Sequence, residues 1–559
     1  MSDHYDVLVL GTGVRESVLS AALSRAGKRV LHVDPHTYYG NEWASLTLSE
    51  LSQWASAHAN ADVSFPREPC EPGAIPETYK SVDRHYSIAL RPVLLPARGP
   101  MIEALIRSNV ASYATFRLLG RIGVWDGEHL ERVPKSKSDI FRDRRISLAD
   151  KRKLMRFLQS AVEPDAPLPD SSVSVSRYLT ETMGLGQQLE RAVTYGVALC
   201  WDAMESSASA IDRTRRSLRG LGRYGDAAFL VGQFGGAGEL AQGFCRASAV
   251  HGGVFILGHE VLSLKHACDS NNAWTLRVAG IEETFTADQV AAPRELMCEN
   301  ASWENEQAMK LLSDTSSLLS SPVYEHVAVV ITDAPIDWAA HMPLDGDEVT
   351  PETALVVFPP DAFGPSSNEH AVIVLGQGEG TFACPKGQYV YYLSTYGPTG
   401  TSARTCLHRA VRRLHTLLTT EAPFIAEFYC SHTLSETREA SIPAYVDTSA
   451  QLVRTAGGPV GRTSLCIGDD ASQVRAQQAV PNLTETLDLS VEAAEQAFWR
   501  LVGEQHKQAA YQAAHDRSHQ HDPSEYQGRG GVEPEAPKEA TVVEVEFFAP
   551  RPTEDDEAV

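Results

Sequence analysis

The sequence predicts an α/β fold: a sheet domain interrupted by an all-helical insert and followed by an acidic tail. Three observations predict it. The chain opens with an apolar strand, a Gly11-Thr-Gly13 turn, a helix and a second strand. Between about residues 129 and 221 apolar residues recur at three- and four-residue spacing, the helical period. After Tyr224 the chain becomes glycine-rich and then strand-rich.

Size and composition narrow the function classes. At 559 residues the chain has room for about three to four domains. Lys and Arg total 49 against 72 Asp and Glu, a net charge of −23. Phosphate backbones need a basic footprint, so nucleic acid is not expected as a partner. The same sign disfavours stable docking on an anionic bilayer. No apolar run reaches the ~18 residues of a spanning helix. The start, MSDHYDVLVLG, lacks a basic region and enters a strand at once, so no secretory signal is expected. Nine scattered cysteines without a CxxC pair predict reduced thiols in the cytosol, with no zinc site or disulfide frame. The end, EDDEAV, carries no prenylation box.

Along the chain, Tyr5–Leu10 reads as a strand, Ser17–Ala26 as a helix and Arg29–Val33 as the second strand, closed by Asp34. From about Ile102 the run MIEALIRSNVASYATFRLLGRIG reads as helical. After Pro134, Ser147-Leu-Ala-Asp150 predicts a helix start, and Leu154, Phe157, Leu158 and Val162 fall on one face. Val175–Met183 and Leu189–Cys200 fit further helices. Ala273–Val278 and Glu283–Thr286 suggest a hairpin across Gly280, and Gln289–Ala292 a returning strand. Val327–Ile331, Thr353–Phe358, His370–Leu375 and Gln388–Ser394 suggest a β-meander, with a surface loop at Asp361–Asn368. Thr405–Leu418 and Ala493–Glu504 fit helices. Residues 505–559 hold 12 acidic and 5 basic residues and read as disordered. One apolar patch there, Val542–Phe548, is expected to stay unattached rather than add a strand. The expected division is 1–128 and 222–504 for the sheet domain, 129–221 for the helical domain and 505–559 for the tail.

Strand–Gly11-x-Gly13-x-x–helix, with Asp34 about 20 residues on, is the opening of a dinucleotide-binding Rossmann unit. The fold expected is therefore FAD-binding-like. The chemistry stops at Glu16, which stands where the third glycine permits close helix packing beside the pyrophosphate. A carboxylate there opposes two phosphate charges, so a retained scaffold with no cofactor is expected. The alternative is Glu16 swinging aside to admit FAD, which would make the chain an FAD-dependent oxidoreductase. No other catalytic set appears. GxSxG and GxxxxGK[ST] are missing, and His259-Glu260 is followed by Ser263 where a zinc helix needs His.

Three stretches resemble one family, the Rab escort proteins and their relatives the Rab GDP-dissociation inhibitors. They are YDVLVLGTGVRESVLSAALSRAGKRVLHVDPHTYYGNEWASLTLSEL, the run from RHYSIALRPVLLPARG through IRSNVASYATF to RVPKSKSDIFRDRRISLADKRKLMRFL, and RYGDAAFLVGQFGGAGELAQGFCRASAVHGGVFIL. The resemblance covers about a quarter of the chain, in the family's order. It implies a flavoprotein-like fold without flavin and no enzyme activity. It also implies a platform for GDP-bound Rab GTPases at Tyr39, Glu239, Gln242 and Arg246, with Val254 and Ile256 beside them. Here Val254 and Ile256 stand where members often have Thr and Met, and Gly235-Gly-Ala-Gly238 is one residue longer than the usual turn. The bland alternative is that Glu239 and Arg246 merely pair with each other.

Escort proteins also dock on the Rab geranylgeranyltransferase heterodimer, through a Phe followed eleven residues later by an Arg. Phe141 and Arg152 have that spacing. Phe141 sits among charges, as an exposed interface aromatic would; the alternative is a staple onto the following helix. The resemblance further implies a groove for the GTPase's geranylgeranyl chain, expected at Leu154, Met155, Leu158 and the Val193–Cys200 helix. A cytosolic monomer with transient membrane contact follows, acting as an escort. The alternative within the family is a recycling inhibitor without transferase contact.

Overall fold

The computed structural model describes residues 4–134, 139–140, 146–163, 166–266, 273–293, 301–302, 323–342, 351–365, 367–398, 401–434, 446–447, 452–455, 481–503, 506–507, 510 and 546–548. Its main helices are α1 (Val14–Arg25), α2 (Leu148–Val162), α3 (Ser207–Gly220), α4 (Ala237–Val250) and α5 (Thr486–Val502).

The opening folds as a β-α-β unit. Strands β1 (His4–Leu10) and β2 (Val30–Asp34) pair in parallel, from Val7 with Val30 to Leu10 with Val33. From Val7 onward both are buried, as expected of parallel strands covered on both faces. Outward, β3 (Val254–Leu257) lies parallel to β2; on the other side β4 (Phe285–Pro293) lies parallel to β1. One face of this sheet packs on α1, α4 and α5 around Val18, Leu240, Phe244 and Phe498. Small residues let α1 and α4 approach: Ser20 and Ser24 both hydrogen-bond Ser248, at 2.9 and 2.8 Å.

A second sheet of eight strands runs in the order 61–64, 426–434, 323–332, 389–398, 372–377, 353–358, 121–125 and 130–132. Three members of the expected meander are neighbours in sequence order. The fourth, Val323–Thr332, lies beyond them, between Tyr389–Pro398 and Ala426–Leu434.

Four elements depart from expectation. The helix read from Ile102 spans only Pro100–Arg107; Phe116–Leu118 and Arg121–Trp125 are strands. Their apolar spacing mimics a helix, but Arg121–Val124 pairs in parallel with Ala354–Val357, and sheet pairing overrides local pattern. Glu283–Thr286 and Gln289–Ala292 fall largely in one strand, β4, which forms the hairpin with Trp274–Val278. The last helix starts at Thr486 rather than near Ala493. Finally, the part of the tail patch among the described residues, 546–548, is attached through two rings: Phe547 and Phe548 are buried to 4% and 1% exposure. The apolar area they remove from water is the reason.

A buried ionic seam joins the helical layer to α5. Arg213 of α3 pairs with Glu205 and with Glu485 (3.4 Å) and donates to the Ala198 carbonyl (2.8 Å). Arg216 pairs with Glu485 (3.0 Å) and reaches Asp488 at 3.8 Å. Asp488 accepts the Met101 amide at 2.9 Å, capping the helix Pro100–Arg107; a Cβ on Gly99 would collide with its carboxylate. Burial pushes the Asp488 carboxyl from 3.8 to about 7, against the pull of the Met101 amide and Arg216. A pKa raised in the folded state contributes stability at low pH that is lost as pH rises through about 7. Asp488→Asn keeps the acceptor and does not titrate. Urea unfolding at pH 5 and pH 8 is expected to show the variant gaining on the parent by about 1.4 kcal/mol per pH unit up to about pH 7 and no further above it. A constant difference between the two pH values would show that Asp488 is ionised throughout.

Candidate functional site

The dinucleotide turn forms, and its recognition groups are already used. Asp34 Oδ2 accepts the amide and hydroxyl of Thr12 at 2.6 and 2.7 Å. Its Oδ1 accepts the His36 amide at 2.8 Å and contacts His36 Nδ1 at 2.9 Å. Burial opposes the Asp34 charge, but the bonds from His36 and Thr12 outweigh it and hold the carboxyl below its usual range. A carboxylate offers about four acceptor positions, and these four contacts leave little for a ribose. His32 is driven down to about 4 by burial, so as a neutral ring it donates from Nε2 to the Gly11 carbonyl at 2.6 Å.

Glu16 lies in the first turn of α1, only 6% exposed. Its Oε2 is 2.5 Å from where a Cβ on Gly13 would be. The carboxylate thus occupies the helix N-terminus, where backbone amides and the helix dipole would otherwise hold a pyrophosphate. A polar cavity of about 600 Å³ remains beside it, bordered by Arg15, Glu16, Asp34, His36 and Arg91. Volume is present, but a carboxylate already stands at the helix N-terminus, with Arg15 at 3.8 Å, and the ribose acid is saturated. These residues do not fit FAD.

The α4 helix presents Glu239, Gln242 and Arg246 at successive turns, at the spacing that places residues on one helix face. Its opposite side, Leu240, Ala241, Phe244 and Cys245, is buried. Glu239 is half-buried, and that burial pushes its carboxyl up. Arg246 does not spend its charge on Glu239; its guanidinium lies over the Tyr113 ring at 5.1 Å. Tyr39 is half-buried beside the first turn of α4. The next residue, Gly40, donates to the Thr12 carbonyl at 3.1 Å, and the site of a Cβ there is 3.2 Å from Gly238 Cα. The chain leaves α4 into β3, the edge of the parallel sheet among the described residues. There Val254 is 42% exposed, whereas Ile256 packs partly onto the cluster of Leu31 and Val33. The structure therefore groups four of the six residues around α4 and puts the other two on the adjoining edge.

Phe141 lies outside the described residues. Arg152 is exposed on α2, whose start is capped as expected: the Ser147 hydroxyl accepts the Asp150 amide at 3.1 Å.

The helical layer contains a cavity of about 330 Å³ with largely apolar walls. Leu154, Met155 and Leu158 line it from α2 and Val193 from the facing stretch Gln187–Val197, so all four expected groove residues meet in one space. Within that stretch Ala192–Val197 is π-helical, a wider winding often found at functional sites. Val197, in the expected Val193–Cys200 stretch, also lines the cavity, whereas Ile140, Ile146 and Leu189 line it and were not expected. Leu189 had a readable signal, four residues before Val193 on the same helix face. Ala198 and Cys200, by contrast, belong to the packed core. Leu130–Arg132 closes one side, where Gln188 donates to Glu131 at 2.8 Å. No metal-binding group of three or more His, Cys, Asp or Glu occurs among the described residues, and no helix there is long and apolar enough to cross a membrane.

Comparison with known proteins places this arrangement. The GDI (GDP dissociation inhibitor) family matches residues 1–325. Rab proteins geranylgeranyltransferase component A of Candida albicans is 30% identical over 445 residues, covering 75% of this chain and 63% of that protein. The protein of the same name in Saccharomyces cerevisiae is 29% identical, covering 70% and 62%. Rab escort protein 1 of Arabidopsis thaliana is 27% identical, covering 70% and 76%. The chain thus spans a little under two thirds of the two fungal relatives. The crystal structure of Rab GDI from Plasmodium falciparum matches with a TM-score of 0.61 at 18% identity, covering 90% of this chain and 98% of that one. An oxidoreductase from Methanosarcina mazei matches with a TM-score of 0.51 at 11% identity, covering 88% and 100%. These structural likenesses identify the FAD-binding-like fold. With its family signature running through more than half of its length, the chain belongs to the GDP dissociation inhibitor family.

Proposed function

We propose that this protein is a non-catalytic Rab escort protein. It binds newly made, GDP-bound Rab GTPases through Tyr39, Glu239, Gln242 and Arg246, with Val254 and Ile256 at the edge. It presents their carboxyl-terminal cysteines to the geranylgeranyltransferase heterodimer through Phe141 and Arg152, then keeps the modified GTPase in solution. Preferential binding of the GDP form slows nucleotide release by linkage. The protein acts as a cytosolic monomer that touches membranes at delivery.

One observation carries this reading: the apolar cavity bounded by Leu154, Met155, Leu158 and Val193. A chain of about 20 carbons is drawn to a bilayer by ~0.8 kcal/mol per buried CH₂, so a soluble carrier must offer an apolar seat. The cavity lies at the lower end of the ~300–1,000 Å³ typical of ligand pockets. The relatives' names support the escort role over a recycling inhibitor.

Reconstitution tests it. A GDP-loaded Rab, transferase and geranylgeranyl donor are combined with and without this protein. Prenylation is expected only in its presence, and equal prenylation without it would remove the escort role. Phe141→Ala is expected to abolish transferase binding while sparing the Rab; unchanged transferase binding would favour the recycling inhibitor.

A further inference from the structure

We propose that Phe547–Phe548 is an intramolecular docking motif, an aromatic clip that seats in a seam between α4 and α5 and pins the acidic tail behind the platform helix. The Phe548 ring lies 6.1 Å from that of Phe244 on α4, and the Phe547 ring 5.4 Å from that of Phe498 on α5. The two rings also contact each other, at 4.9 Å. Both side chains are almost wholly buried within the cluster that holds α1, α4 and α5 together.

The backbone supplies a second, independent observation. Phe548 adopts a φ of 54°, a left-handed conformation that bulky residues rarely take. Such a conformation persists where the surrounding packing over-determines it. The sequence supplies a third. These are the only phenylalanines after Phe498, and they stand in a segment otherwise rich in His, Gln, Pro and Glu.

The seat's position gives the clip its consequence. Phe244 is on the buried side of α4, whose exposed side carries Glu239, Gln242 and Arg246. The clip therefore backs the platform helix without covering it.

The occupant is this chain's own tail rather than a second copy. Residues 511–545 are the covalent tether, and 35 residues can reach at most about 120 Å, ample for the end of the chain to return to the seat. Such a tether holds its end near the seat at an effective concentration approaching the millimolar range, far above a micromolar solution of second copies.

The test uses the full chain. The double variant Phe547→Ala, Phe548→Ala vacates the seat, and a labelled peptide of residues 541–550 is titrated onto it and onto the parent. Saturable binding to the variant is expected, at least ~10-fold weaker binding to the parent, and none of a peptide with both phenylalanines replaced. Equal binding to both proteins, or no saturation of the variant below about 1 mM, would overturn the clip. Hydrogen exchange on the unaltered chain does not depend on the variant folding. Amides at 546–548 are expected to be protected to the same degree at 1 and 50 µM, roughly the range over which a second copy would be recruited. Exchange at the rate of an unstructured peptide, or protection that grows with concentration, would overturn it.

Discussion

Met155→Arg is expected to lower extraction of geranylgeranylated GTPase from vesicles by about 100-fold, while binding of the unmodified GTPase stays within about twofold. Met155 is half-buried and lines the cavity from α2. An arginine there places a charge against the path of an alkyl chain and excludes several methylenes. Four methylenes left in water amount to roughly 3 kcal/mol, a factor of about 100. Because the side chain is only half-buried, the guanidinium can reach solvent, and the fold is expected to survive. Flotation of lipidated GTPase with vesicles gives the first quantity, and titration of unmodified GTPase gives the second. Full extraction by the variant would place the lipid elsewhere.

The second large effect concerns stability. Arg213→Leu is expected to destabilise the protein by about 3–5 kcal/mol, the usual loss when one partner of a buried ion pair is removed. The guanidinium is 5% exposed and serves Glu205, Glu485 and the Ala198 carbonyl. Without it, both carboxylates and the carbonyl remain in a poorly solvated seam. Burial already pushes the Glu205 carboxyl up against the pull of Arg213. The urea midpoint reports the loss. Adding Glu205→Gln and Glu485→Gln is expected to recover part of it, because amides tolerate burial better than unpaired carboxylates. A single variant as stable as the parent would mean that water reaches the seam.

Several features were legible in the residues because they are local. A strand–glycine turn–helix start, the Ser147 cap and the amphipathic face of α2 depend on neighbours within one or two turns. The same holds for Glu239, Gln242 and Arg246, whose spacing alone puts them on one face of α4. Local pattern failed where partners are distant in sequence. Phe116–Leu118 and Arg121–Trp125 carry a helix-like apolar spacing, and only pairing with residues such as Thr353–Phe358 makes strands of them. The tail patch failed for the same reason, since its seat is assembled from α4 and α5.

By itself, then, the sequence determined the opening β-α-β unit, the acid that spoils its phosphate cradle, and the helical face that walls the cavity. Periodicity and single-residue chemistry suffice for those. The tertiary structure alone decided that the Asp34 oxygens are taken by Thr12 and His36, that four residues from two segments enclose one apolar space, and that two phenylalanines near the chain's end are buried. Each of these depends on which surfaces meet, and burial is a property of pairs of surfaces rather than of any one segment.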